Sequence, residues 1–174
     1  MKKCLILLLS TILLLVGCSK AAPSAPDPAI PGSYTVPQGW EKSEKHSTPS
    51  QIFYIAQGHE EESTPDNISI HAGKNDYALD DHQQFRDAIL QQILAQLEGI
   101  KAQLTGDGTY TQQGDLLYIF TIDEGSVVTT QYYIVKDYGF CLIQLTNFSG
   151  SESADRAARE MADSFQWSQE GMTP

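Results

Sequence analysis

The chain has 174 residues and sets 22 acidic side chains against 11 basic ones, a formal charge of −11. A surface of that sign repels nucleic acid and the anionic headgroups that recruit basic proteins, which excludes nucleic acid as a partner and electrostatic adhesion to a membrane. It suits a basic protein partner, cations, or solubility alone.

In chain order, the first feature is an address. Met1-Lys2-Lys3 precedes residues 5–16, which are apolar except for Ser10 and Thr11. A basic start on an apolar run of this length reads as an export signal, and the run falls short of the roughly 20 apolar residues a spanning helix needs. It ends in Leu15-Val16-Gly17-Cys18, which resembles a bacterial lipobox. The resemblance implies removal of residues 1–17 as a lipoprotein signal peptide, a diacylglyceryl thioether on Cys18, and acylation of the new amino terminus by a fatty acid such as palmitate. Two or three acyl chains anchor stably where one binds only marginally. The expected location is therefore extracytoplasmic and lipid-anchored to the cell membrane. Because Ser19 follows the cysteine, that would be the outer membrane in an envelope with two. Loss of Lys2 and Lys3 leaves 22 acidic residues against 9 basic, a formal charge of −13.

Processing also accounts for the cysteines. Cys4 leaves with the signal, Cys18 takes the lipid, and Cys141 remains without an intramolecular partner. Its setting, Phe140-Cys141-Leu142-Ile143, is a strand-like apolar run, so it reads as a small core residue.

Residues 18–33 carry four of the eight prolines with alanines between them. A segment this poor in apolar bulk stays extended and solvated, and in polyproline form it reaches roughly 40 Å at ~3.1 Å per residue. It reads as a tether. Residues 34–168 are the size of one domain with a self-sufficient core, and residues 169–174 read as a tail.

Within the domain, Gln51-Ile52-Phe53-Tyr54-Ile55-Ala56 and Asn67-Ile68-Ser69-Ile70-His71 read as strands around a charged loop over 58–66. Asp80 or Asp81 is placed to cap a helix with apolar residues at Phe85, Ile89, Ile93, Leu97 and Ile100, a stripe widened by Leu90 and Leu94. Residues 101–113 read as a strand interrupted by Gly106 and Gly108. Strands over 116–122 and 127–135 flank the hairpin signal Asp123-Glu124-Gly125-Ser126. A third strand over 140–146 follows the turn Asp137-Tyr138-Gly139. A last helix shows Ala154, Ala157, Ala158, Met161, Ala162 and Phe165 on one face, with Ser149 and Glu152 spaced as a capping box. The expected fold class is α+β: an antiparallel β-sheet packed against a long mid-chain helix and a C-terminal helix.

Tyr34-Thr35-Val36-Pro37-Gln38-Gly39-Trp40, a strand, a long helix, a meander and a closing helix ending Ser164-Phe165-Gln166-Trp167 together resemble the PsbP and DcrB-like superfamily. The resemblance spans nearly the whole domain. It implies an α-β-α sandwich and non-enzymatic binding or assembly; many bacterial members are small envelope lipoproteins, and the plant and cyanobacterial members associate with photosystem II. No functional residue transfers from that pattern, and Trp40 and Trp167 read as packing residues.

The motifs of catalysis fail one by one. His59-Glu60-Glu61-Glu62-Ser63 starts like a zinc-protease helix but has Ser63 where the second ligand must stand. Gly106-Asp107-Gly108 lacks the third glycine of a dinucleotide loop, and there is no nucleophile elbow, phosphate loop or Cys-x-x-Cys. No catalytic, cofactor-binding or metal residue is assigned, and no cofactor is implied. Two acidic runs, residues 59–62 and Asp76, Asp80, Asp81 with His82, are the places where a metal would have to sit, although neither has the spacing of a calcium loop. The aromatic residues Tyr118, Phe120, Tyr132, Tyr133 and Phe140 lie on neighbouring strands. Consecutive Tyr132 and Tyr133 must point to opposite faces, so one leaves the main core side, to meet a ligand, a partner or a second helix layer. Asn67 and Asn147 begin glycosylation sequons that a bacterial lipoprotein does not use. The expectation is a membrane-anchored envelope lipoprotein, not an enzyme, with a binding or assembly domain and an envelope protein as partner. The alternatives are a small-ligand or metal receptor and a cryptic hydrolase that would need His71 or His82 beside a serine and an aspartate.

Overall fold

A computed structural model of the chain describes residues 30–168. The expected signal peptide, Cys18, most of the expected tether and the expected tail lie outside the described residues. Nine strands and two α-helices follow in order among them: β1 (Gly32–Ser33), β2 (Trp40–Lys42), β3 (Gln51–Ala56), β4 (Asn67–Lys74), α1 (His82–Gln96), β5 (Gln103–Tyr110), β6 (Leu116–Asp123), β7 (Val128–Lys136), β8 (Gly139–Asn147), α2 (Glu152–Ser164) and β9 (Gln166–Trp167).

Seven strands form one antiparallel sheet in the order β2-β3-β4-β8-β7-β6-β5. The meander β5 to β8 supplies one half. After β4, α1 carries the chain across the meander to the far edge, where β5 begins. Side chains alternate along the central strands, and both faces are apolar. Tyr132, Ile134, Leu117 and Ile143 pack with Ala154, Ala157, Ala158 and Met161 of α2. Tyr118, Phe120, Tyr133 and Phe140 pack with Phe85, Ile89 and Ile93 of α1. The domain is thus an α-β-α sandwich, the expected class. Tyr132 and Tyr133 point to opposite faces and each is covered by a helix, so the sheet aromatics are core on both sides rather than a docking surface. Phe85, Tyr133 and Phe140 sit with ring centroids 5.6 to 6.0 Å apart, inside the range for favourable aromatic contact. Cys141 is fully buried, and burial pushes its thiol pKa up, as a core role requires.

Four local readings are corrected. Asp81 occupies the N-cap position of α1, but its side chain accepts from Gln84 Nε2 at 2.9 Å instead of capping a backbone N–H. The apolar stripe of α1 ends sooner than its spacing suggests: the helix stops at Gln96, and Leu94 and Ile100 are exposed. The cap of α2 is Ser151, whose side chain accepts from Ser153 N, while Ser149 is held elsewhere by Asp66. Most instructive is β5, which runs unbroken through both glycines. Gly106 stands opposite Phe120 and Gly108 opposite Tyr118, and a Cβ at either position would lie 3.2 Å from the facing ring. The glycines are clearances for cross-strand aromatic rings, not breaks.

The fold also takes in the end of the expected tether. Gly32 and Ser33 pair with Trp167 and Gln166, Ser168 N donates to Pro31 O at 2.9 Å, and Ile30 packs on the α2-side core. Glycine is required at position 32, since a Cβ would meet Phe165 Cζ at 2.5 Å and the Gln166 carbonyl at 2.6 Å.

Candidate functional site

A groove of about 670 Å³ runs between α2 and two loops at the β2–β3 side of the sheet. One wall is the turn Pro37-Gln38-Gly39-Trp40, closed by Trp40 N donating to Pro37 O at 3.2 Å. Gly39 takes φ +87°, the left-handed value that the third position of a type II turn demands. Gln57 N then donates to Gly39 O at 2.8 Å and ties the turn to the end of β3. The half-buried Trp40 joins Ala56, Ala154 and Ala157 as the apolar lining.

The second wall is the acidic loop between β3 and β4. Its carboxylates diverge. His59 Nδ1 lies 2.7 Å from Glu62, Glu61 pairs with Lys45 at 3.8 Å, and Glu60 accepts from the buried Ser43 hydroxyl at 2.5 Å. Asp66 closes the loop onto the start of α2, its Oδ1 accepting from Phe148 N at 2.7 Å and Ser149 N at 2.9 Å, while Oδ2 accepts from Ser149 Oγ. The first acidic run therefore staples loops together. In the second, His82 Nδ1 lies 2.6 Å from the Tyr118 hydroxyl and Asp81 holds Gln84. Among the described residues no three His, Cys, Asp or Glu side chains converge as a metal site would require.

The third wall is the N-terminal half of α2, with Ser151, Ser153, Arg156 and Glu160 turned to the groove. Arg156 is exposed, and among the described residues it makes neither an ion pair nor a hydrogen bond. The other two arginines of the domain are held by carboxylates: Arg86 by Asp87 at 2.6 Å and Arg159 by Asp163 at 2.8 Å.

The histidines named for a hydrolase are placed otherwise. His71 Nδ1 lies 3.1 Å from the Ser50 carbonyl, and His82 faces Tyr118; neither meets a serine hydroxyl or an aspartate among the described residues. The imidazole that does touch a serine is His46, with Nδ1 2.8 Å from Ser43 Oγ. There Glu60 binds the serine, whereas a triad needs its carboxylate on the far nitrogen of the imidazole, and Ser43 is only 1% exposed. Among the described residues the large exposed aromatics are Tyr110 and Tyr138, whereas Tyr118, Phe120, Tyr132, Tyr133 and Phe140 are all buried. Nothing in the local sequence marked Arg156, because its isolation depends on where Glu152 and Glu160 direct their side chains.

No known family model and no curated protein matches the chain. Among solved structures, it is similar to the solution structure of cyanobacterial PsbP (CyanoP) from Synechocystis sp. PCC 6803. The TM-score is 0.54 at 12% identity over 88% of this chain and 98% of that one. A crystal structure from Bacteroides thetaiotaomicron VPI-5482 matches with a TM-score of 0.46 at 15% identity over 86% of this chain, which spans half the length of that one. The likeness to CyanoP defines the fold class: an antiparallel sheet sandwiched by two helices, of PsbP-like type.

Proposed function

We propose that this chain is a lipid-anchored envelope protein, joined to the membrane through Cys18, whose PsbP-like domain docks an envelope protein without catalysing a reaction. The observation that carries the docking reading is the groove. It is open, lined by a tryptophan and alanines between polar walls, and its walls are fixed by hydrogen bonds that Asp66, Glu60 and the Gly39 carbonyl accept. A preorganised concave surface with few, placed polar groups is what recognition needs. Anchoring by Cys18 rests on the lipobox-like Leu15-Val16-Gly17-Cys18. No helix among the described residues is long and apolar enough to cross a membrane.

The test is in-cell crosslinking of the tagged chain, followed by mass spectrometry, beside a Cys18→Ser form. One dominant envelope protein, lost without the anchor, supports docking. An empty capture favours the other reading, a small-ligand receptor, for which about 670 Å³ is also an ordinary pocket size. Acyl label that persists in Cys18→Ser would contradict the anchor.

A further inference from the structure

The carboxylates of this domain outnumber its cations, yet one guanidinium is left over, and it stands in the groove. Arg156 has Glu152 four residues before it and Glu160 four residues after it on the same helix, the spacing at which helical ion pairs form. Neither pair is made among the described residues, whereas Arg159 takes Asp163 at that same spacing with a separation of 2.8 Å. The nearby acidic groups are also committed: Glu62 to His59, and Asp66 to the loop that precedes α2. A planar guanidinium presents several N–H donors in a fork that fits a carboxylate through two hydrogen bonds. Arg156 lines the same groove as Trp40 and Ala157, with Glu160 about 6 Å further along the helix axis at 1.5 Å per residue.

We propose, building on the docking reading, that the groove receives an extended peptide segment of mixed charge, seating one of its carboxylates on Arg156. An aliphatic or aromatic side chain of the segment covers Trp40 and the alanines. A lysine or arginine of the segment, one helical turn along the groove, meets Glu160. A purely acidic segment is disfavoured, because Glu62, Asp66 and Glu160 line the same cleft. A purely basic one leaves Arg156 facing like charge.

The probe is a random-peptide phage library panned on the full chain in detergent, with Arg156→Glu and Arg156→Lys in parallel. Arg156 is exposed, so circular dichroism should show both variants folded like wild type. Wild type should enrich peptides that carry Asp or Glu near a lysine or arginine. Those peptides should lose about tenfold in affinity on Arg156→Glu and keep part of it on Arg156→Lys, as expected for a charge-assisted pair. Enrichment of the same peptides on Arg156→Glu, or no enrichment on wild type, overturns the proposal. If in-cell crosslinks to an envelope protein survive either result, docking stands and only the charge rule falls.

Discussion

Asp66 is the residue on which the groove and the stability of the fold depend together, and replacing it separates two causes. Its Oδ1 accepts from the backbone N–H of Phe148 and of Ser149, and Oδ2 accepts the Ser149 hydroxyl, so the start of β4 is tied to the loop entering α2, some 80 residues later in the chain. Asp66→Ala leaves the partly buried Phe148 amide and the exposed Ser149 amide without that acceptor. Hydrogen bonds to a charged group contribute about 1.5–3 kcal/mol each, and water reaches part of this loop, so the loss should be about 2–4 kcal/mol. With a urea slope of about 2 kcal/mol/M, the unfolding midpoint should fall by about 1–2 M. Asp66→Asn keeps a carbonyl oxygen where Oδ1 stands, and the Ser149 hydroxyl can turn to accept from the new amide, so its cost should stay below about 1 kcal/mol. Urea unfolding of the three proteins, followed by fluorescence and circular dichroism, gives both numbers. An Asp66→Ala midpoint within error of wild type would show that water replaces the carboxylate. An Asp66→Asn variant as weak as Asp66→Ala would show that charge, not the acceptor at Oδ1, holds the loop.

Three further outcomes are expected. Gly106→Val should cost about 1–3 kcal/mol and loosen amide exchange along β5, because its Cβ would stand 3.2 Å from Phe120 Cδ1; wild-type exchange in the variant would contradict the clearance. Cys141 should resist iodoacetamide in the native chain and react fully in urea, and Cys141→Ser should cost about 1–3 kcal/mol for an unpartnered buried hydroxyl; rapid native alkylation would refute its burial. Desolvation raises the Asp115 carboxyl pKa in the fold, so its contribution is favourable below the unfolded pKa and is lost as pH rises through the folded one. Asp115→Asn should therefore gain stability relative to wild type between about pH 4 and pH 7, read from paired urea curves; a difference that stays flat with pH would refute it.

Elements whose cause is local were legible in the sequence. The alternation of Asn67-Ile68-Ser69-Ile70-His71 and the alanine face of α2 depend only on which side of one element is buried, and both formed as read. What stayed illegible has partners far along the chain. Gly106 and Gly108 look like breaks until Phe120 and Tyr118 are placed across the strand. Gly32 belongs to a proline-rich stretch by composition and to the fold by its contact with Phe165. Ser149 has the spacing of a cap, but Asp66 takes it and Ser151 caps in its place. The candidate site follows the same rule. The residues of 59–62 form one acidic run in sequence, yet Ser43, Lys45 and His59 divide it among separate contacts. Arg156 is distinguished only by the carboxylates that fail to reach it.

Photocrosslinking from single positions of the lipidated chain in cells tests the central claim most directly. A photoreactive residue at Gln38 lies in the groove wall, and one at Leu94, 53% exposed on α1, lies on the other face of the sheet. The docking account predicts a discrete crosslinked envelope protein from Gln38 and none from Leu94. The same adduct from Leu94 with none from Gln38 would contradict it.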